Sequence, residues 1–289
     1  MMASARSGPG VTRVHRETFR RGSTTYYNSS VFFPPAVRTD VFALYGFVRV
    51  ADDYVDRVPQ DAAGFRDFRR RYLLAREGQG AGVVSADPII DSFVELSRRH
   101  RFPEEWIDAF FRSMEMDITH PVYETLEETL EYIHGSAEVI GLFMATLLGL
   151  GRSTHRHAMM LGRAMQYINF IRDIDEDRRL GRSYLPWDGP AVELTDSGYA
   201  RAHASEFRRY LAHHLDLYQG WQREAAPGLR SLPRRYRIPI QTASDMYAWT
   251  ARTIRADPFV VFRRKVKPTR SRIVTRVLRI ALGIPGPRS

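Results

Sequence analysis

The 289-residue chain contains no cysteine, which excludes disulfides and thiolate metal sites. It also lacks a long hydrophobic run. The longest apolar stretch, 139–150, is interrupted by Gly141 and falls short of the roughly 20 residues that cross a bilayer. Met1 to Gly10 are small and polar, without the apolar core of a signal peptide, so a cytoplasmic location is expected. No segment alternates apolar and polar residues as a strand would. Gly78, Gly80 and Gly82 alternate, but Val83 stands where a dinucleotide fingerprint has its third glycine, and no strand precedes them. The histidines form no metalloprotease pattern: His155-x-His157 has no acidic companion, and His213 and His214 point to different faces. Acidic residues are missing beyond Pro258, where nine Arg or Lys remain.

Hydrophobic content of 44% and charged content of 26% are ordinary for a globular chain. The length suffices for a sizeable core. The net charge of +10 reflects arginines scattered through the chain or points to anionic partners, a substrate or a membrane surface.

Residues 1–33 read as loop with a short helical piece. Pro34-Pro35 introduces a helix over 36–57, ended by Pro59, and a charged helix follows over 62–77. Asp87-Pro88 and Pro103 read as helix starts. Thr125-Leu126-Glu127-Glu128 has the form of a capping box opening a helix to about residue 150. Further helices are predicted over 154–180, 196–224, 239–256 and 268–283. The reading is an all-α bundle.

Two acidic clusters lie about 120 residues apart: Asp52-Asp53-Tyr54-Val55-Asp56 and Asp173-Ile174-Asp175-Glu176-Asp177. On a helix, positions i and i+4 share a face with Cβ atoms roughly 5–6 Å apart, so Asp52 pairs with Asp56 and Asp173 with Asp177. Like charges at that spacing weaken a helix. A hard divalent cation offsets this, and Mg²⁺ typically binds through one or two carboxylates plus substrate phosphates. One such cluster alone reads more often as a solvated face than as a metal site. The second, however, continues a polar stripe of Gln166, Asn169, Asp173 and Asp177 on a helix whose other faces carry Met165, Ile168 and Ile171. Such a stripe needs a partner, because burying unpaired charge is costly. Two such faces opposed across a bundle would hold a diphosphate by its metal ions.

Tyr45-x-x-x-Arg49-x-x-Asp52-Asp53-x-x-Asp56, paired with Gln166-x-x-Asn169-x-x-Arg172-Asp173-x-x-Glu176-Asp177 and followed by Gly181-Arg182-Ser183-Tyr184-Leu185-Pro186, resembles the squalene and phytoene synthase family. The resemblance covers residues 23–266. It implies an isoprenoid synthase-type helical bundle around a central cavity, with Mg²⁺, or Mn²⁺ in its place, held between opposed aspartate motifs. By the same resemblance Asp52, Asp56, Asn169, Asp173 and Asp177 are metal ligands, and Tyr45 and Arg49 join the four aspartates in catalysis. Ser23, Thr25, Tyr26, Gln166, Asn169, Arg172 and Tyr247 are the substrate-binding residues it implies. Phe262-Arg263-Arg264-Lys265-Val266 resembles a basic run that follows in such enzymes. The chain departs from the pattern at Gly22, at Ser183 and at Glu138, where a small glycine is usual; Glu138 either lines a cavity or caps a neighbouring arginine.

The chemistry suits these residues. Ionising an allylic diphosphate requires its charge to be neutralised, a task for metal ions and for arginines such as Arg49 and Arg172; the plainer reading of both is an ion pair with the adjacent aspartates. A carbocation then needs a dry, apolar cavity, for which Phe32, Phe33, Tyr45, Phe47, Phe143 and Phe170 are available, unless they simply fill the core.

By this resemblance two geranylgeranyl diphosphates condense head to head to phytoene, through a cyclopropylcarbinyl diphosphate, with loss of two diphosphates. A C15-using dehydrosqualene, squalene or presqualene diphosphate synthase is the alternative. The fold also serves assembly factors that lack the metal aspartates, which this chain keeps. No nucleotide cofactor and no nucleic acid partner are expected. The domains read as a flexible 1–22, a prenyl synthase domain at 23–266 and a basic amphipathic helix at 267–289. That last helix either packs on the bundle or lies on anionic lipid as a peripheral membrane contact.

Overall fold

The computed structural model describes residues 13–22, 33–78 and 87–284. Among them there is no strand, only an isolated parallel bridge between Val122 and Ser183. The chain is built as two compact units, one comprising residues up to Ile107 with Thr146–Leu150, the other Asp108–Ala145 and everything from Gly151.

In the first unit, α1 (Arg13–Gly22), α3 (Ala62–Gly78) and α4 (Pro88–His100) pack around α2 (Pro35–Asp56). Proline opens α2 at a position whose N–H has no intrahelical partner anyway. Asp87 caps α4, its carboxylate accepting from Ile89 N at 3.0 Å and Ile90 N at 3.4 Å. Phe47 is fully buried and stacks on Phe93 at 3.8 Å, with Phe68 and Tyr72 against its other sides. Buried Asp40 pairs with Arg99 at 2.6 Å and lies 2.8 Å from His100 Nε2.

The second unit is organised on α8 (His155–Arg179), which packs most extensively on α11 (Ala204–Ser231). Tyr167, Ile168 and Ile171 are fully buried from α8, and Tyr210, Leu211 and Leu215 meet them from α11. The unit also holds α5 (Glu104–Thr119, whose part from Asp108 belongs here), α6 (Leu126–Ile133), α7 (Val139–Leu147, whose part to Ala145 belongs here), short α9 (Ala191–Leu194) and α10 (Ser197–Ala202), α12 (Arg234–Ala256), a 3₁₀ turn at Pro258–Phe262 and α13 (Arg270–Ala281), which packs on α12.

The capping box forms: Glu128 N donates to Thr125 Oγ1 and Thr125 N to Glu128 Oε2, both at 3.2 Å. The helix it opens is not continuous to residue 150. A π-helical turn, His134–Glu138, separates α6 from α7. There α8 approaches so closely that a Cβ at Gly162 would lie 2.3 Å from the Ala137 carbonyl. Glycine is what admits this contact.

The predicted ends at 224 and start at 239 are also corrected: α11 runs through Pro227 to Ser231, and α12 starts at Arg234, five residues before Pro239. Interior proline removes a helix hydrogen bond, but buried Leu229, Tyr236 and Ile238 hold these turns in place. The predicted 196–224 helix is further interrupted at His203, where α10 ends. Sequence periodicity had not separated short α9 or the extent of α1.

Candidate active site

The first acidic motif occupies the last turns of α2. Arg49 reaches Asp53 at 2.6 Å and lies 3.9 Å from Asp56. Asp56 is exposed, Asp52 half-buried. The Tyr45 hydroxyl is pushed up to about 12, by burial first, against the pull of Arg49 and with Asp52 and Asp53 adding to the rise. Phenol, guanidinium and carboxylates thus share one stretch of helix.

The second motif lies on the last turns of α8. Arg172 Nε donates to Asp173 Oδ1 at 2.8 Å, its Nη2 closes a second bond to Oδ2, and Lys265 Nζ stands 3.3 Å from Oδ1. Lys265 also pairs with Glu176. One turn on, Asp177 is pushed up to about 8, by burial first and then by the Asp173 charge, with Arg182 opposing. Tyr247 is half-buried on α12, near Arg172. Asn169 Oδ1 is buried without a hydrogen-bond partner. Gln166 is half-buried on the same helix. The structure therefore brings Arg172, Asp173 and Asp177 into one electrostatic group, with Tyr247 near Arg172.

The local fold explains this placement. Just past the end of α8, Gly181 at a φ of 73° turns the chain away, with Arg182 N bonded to Asp177 O and Gly181 N to Arg178 O, both at 2.9 Å. The chain then turns along 121–123, where Ser183 N donates to Pro121 O at 2.8 Å and Tyr123 N to Ser183 O at 2.9 Å. This seats Tyr184 on Phe170, stacked at 4.2 Å. Asp177, Arg182, Ser183, Phe170, Thr195 and Tyr210 line a cavity of about 10 Å³, close to the room one water needs.

Beneath it lies a residue the sequence did not single out. Asp117, buried on α5, accepts from Tyr184 Oη at 2.6 Å and Tyr132 Oη at 2.7 Å. Its sequence signal was an acid among Met114, Met116 and Ile118. Lys265 was noted only as part of a basic run; its role as counter-ion to Asp173 had no sequence signal.

Glu138 caps an arginine: buried, it accepts from Arg163 Nε at 2.5 Å and lies 3.0 Å from His134 Nδ1. Of the aromatics proposed for a cavity wall, Phe33, Phe47 and Phe143 are buried in the core, and Phe170 lines the small cavity beside Asp177. Ser23, Thr25, Tyr26 and Phe32 lie outside the described residues. Among the described residues no three His, Asp or Glu side chains form a group that could hold a metal ion.

The profile of the family described as Squalene/phytoene synthase matches residues 19–272. The chain belongs to the squalene/phytoene synthase family. It is 28% identical over 272 residues to the 15-cis-phytoene synthase of Paracoccus sp., covering 88% of this chain and 86% of that one. The phytoene synthase of Rhodobacter capsulatus is 32% identical over 246 residues, with 81% and 70% covered. Among solved structures, a dehydrosqualene synthase in complex with ligand superposes with a TM-score of 0.78 at 22% identity, covering 93% of this chain and 95% of that one. Squalene synthase HpnC from Alicyclobacillus acidocaldarius gives 0.74 at 21%, with 85% and 93% covered. The all-α architecture of squalene/phytoene synthases is thus the fold of this chain.

Proposed function

We propose that this chain is a Mg²⁺-dependent prenyltransferase that joins two geranylgeranyl diphosphates head to head to phytoene, through a cyclopropylcarbinyl diphosphate, releasing two diphosphates. The observation that carries this reading is the second motif. Its Asn169 Oδ1 is buried and unpartnered, and its Asp177 carboxyl is held mostly protonated by burial and by Asp173. A buried acceptor and a carboxyl that lacks sufficient positive charge fit a divalent cation. Asn169, Asp173 and Asp177 on α8 would hold one such ion, and Asp52 and Asp56 on α2 would hold another. When bound, the metal supplies positive charge that favours departure of diphosphate.

The protein's own groups do the remaining work. Arg172 and Lys265 pair with Asp173, and their cationic groups would be at hand for an anionic leaving group gathered there. Arg49 does the same for Asp53 and Asp56. The Tyr45 phenol, with its raised pKa, stays protonated at neutral pH and serves as a hydrogen-bond donor. Relatives named phytoene synthase support phytoene as the product.

The test is product analysis. Purified protein incubated with Mg²⁺ and geranylgeranyl diphosphate yields phytoene, and chelation abolishes it. Conversion of farnesyl diphosphate alone would reassign the chain to a C15-using synthase. Turnover of neither would overturn the enzymatic reading.

A further inference from the structure

Asp117 is a buried acid with no part in the chemistry assigned to the two aspartate motifs. Both of its oxygens are engaged, Oδ1 by Tyr184 Oη at 2.6 Å and Oδ2 by Tyr132 Oη at 2.7 Å. A carboxylate is an expensive way to join two aromatic side chains, since apolar residues of similar size often pack a core as firmly. Packing alone therefore does not account for an acid at this position.

The two phenols differ in what carries them. Tyr132 lies within α6, and its carbonyl accepts from Ser113 Oγ at 2.8 Å. Tyr184 lies in the turn that leaves the second aspartate motif. One end of that turn is fastened to Asp177 itself, where Arg182 N donates to the Asp177 carbonyl at 2.9 Å. At the other end Thr129 Oγ1 holds the Tyr184 carbonyl at 2.9 Å, while Asp117 and the 4.2 Å stack on Phe170 hold the Tyr184 ring. Asp177, Arg182, Ser183 and Tyr184 line one cavity, so a displaced Tyr184 ring changes the wall beside Asp177. The Asp117 charge is also felt at Asp177, where it adds to the rise caused by burial, by Asp173 and by Glu176. A negative charge that disfavours a bare carboxylate favours a cation beside it.

We propose that Asp117 is a positioning residue for the divalent-cation site on α8: through Tyr184 it fixes the 181–185 turn beside Asp177, and its charge strengthens the hold on the ion. This rests on the cation role proposed for Asn169, Asp173 and Asp177. Partners behind the direct ligands typically contribute about 10- to 100-fold in metal affinity.

The experiment is titration of the full chain with Mn²⁺, alone and with inorganic diphosphate, read by loss of the free-ion electron paramagnetic resonance signal. Asp117→Asn keeps the side-chain shape and removes the charge, and it weakens Mn²⁺ at least about tenfold. Tyr184→Phe, which keeps the stack on Phe170, weakens Mn²⁺ as well. Tyr132→Phe takes an equivalent bond from the same carboxylate and leaves Mn²⁺ affinity unchanged. Should Asp117→Asn fail to fold, the comparison of the two phenylalanine variants decides alone. In turnover, Asp117→Asn raises the Mg²⁺ concentration for half-maximal rate, and saturating Mg²⁺ recovers the loss, which a merely damaged core would not allow. Wild-type affinity in Asp117→Asn, or equal weakening by Tyr132→Phe and Tyr184→Phe, overturns the proposal while the cation site stands. No Mn²⁺ bound by the wild type, even with diphosphate, overturns the cation role and this proposal with it.

Discussion

Asp173 and Asp177 stand one turn apart on the same helix in opposite electrostatic conditions. Asp173 is clasped by Arg172 at 2.8 Å and approached by Lys265 at 3.3 Å. Asp177 is pushed up to about 8 by burial and by Asp173 itself. The pair is poised to receive positive charge at its second member.

Asp177 therefore destabilises the metal-free fold as pH rises. An acid whose folded pKa lies above its unfolded value of about 4 contributes its full stability below that value and loses it as pH climbs toward the folded one. Thermal melts of wild type and Asp177→Asn should converge near pH 4 and diverge in favour of the variant up to about pH 8. Mg²⁺ should raise the wild-type melting temperature and leave the variant's nearly unchanged. Phytoene formation by Asp177→Asn should fall about 10²-fold or more.

Glu138→Ala should be costly although Glu138 lies outside the acidic motifs. It strands Arg163, which is largely buried and lies 5.3 Å over Trp221. Removing one partner of such a pair costs about 2 kcal/mol or more, readable as a lower urea midpoint. Glu138→Gln, which still accepts a hydrogen bond, should lose less. Replacing Arg163 by Met in the Glu138→Ala background should recover part of the loss.

The Asp117 carboxylate ties two tyrosines from distant segments, Tyr132 and Tyr184. Hydrogen bonds to a charged group are worth about 1.5–3 kcal/mol each, so Asp117→Ala should destabilise strongly. Tyr184→Phe should lose one bond and keep the stack on Phe170. Denaturant melts should rank the variants in that order.

His214 should make the fold acid-sensitive. Burial, with His213 adding to it, pushes its pKa down to about 3, and Tyr167 Oη lies 2.7 Å from its Nδ1. With the folded value depressed below the unfolded one of about 6.5, stability is intact above that pH and declines as pH falls toward 3. Between about pH 6.5 and 5 the slope should reach roughly 1.4 kcal/mol per pH unit. His214→Gln should flatten that slope, whatever it does to stability at pH 7.

The helices around Asp87 and Thr125 were legible in the sequence because a cap acts on N–H groups two or three residues away. The prolines misled: Pro227 and Pro239 lower local propensity, but packing of Leu229, Tyr236 and Ile238 outweighs it. Which face of α13 packs on α12 was not legible, since periodicity alone cannot say which of Ile273 and Val274 meets a neighbour.

Periodicity, caps and the two aspartate-rich stretches were determined by the sequence itself, as properties of residues within a turn or two of each other. Tertiary structure decided the counter-ions: Lys265 for Asp173, Arg163 for Glu138, and two phenols for Asp117. Charges and hydrogen bonds act through space, so their partners are set by which helices pack together and not by separation along the chain.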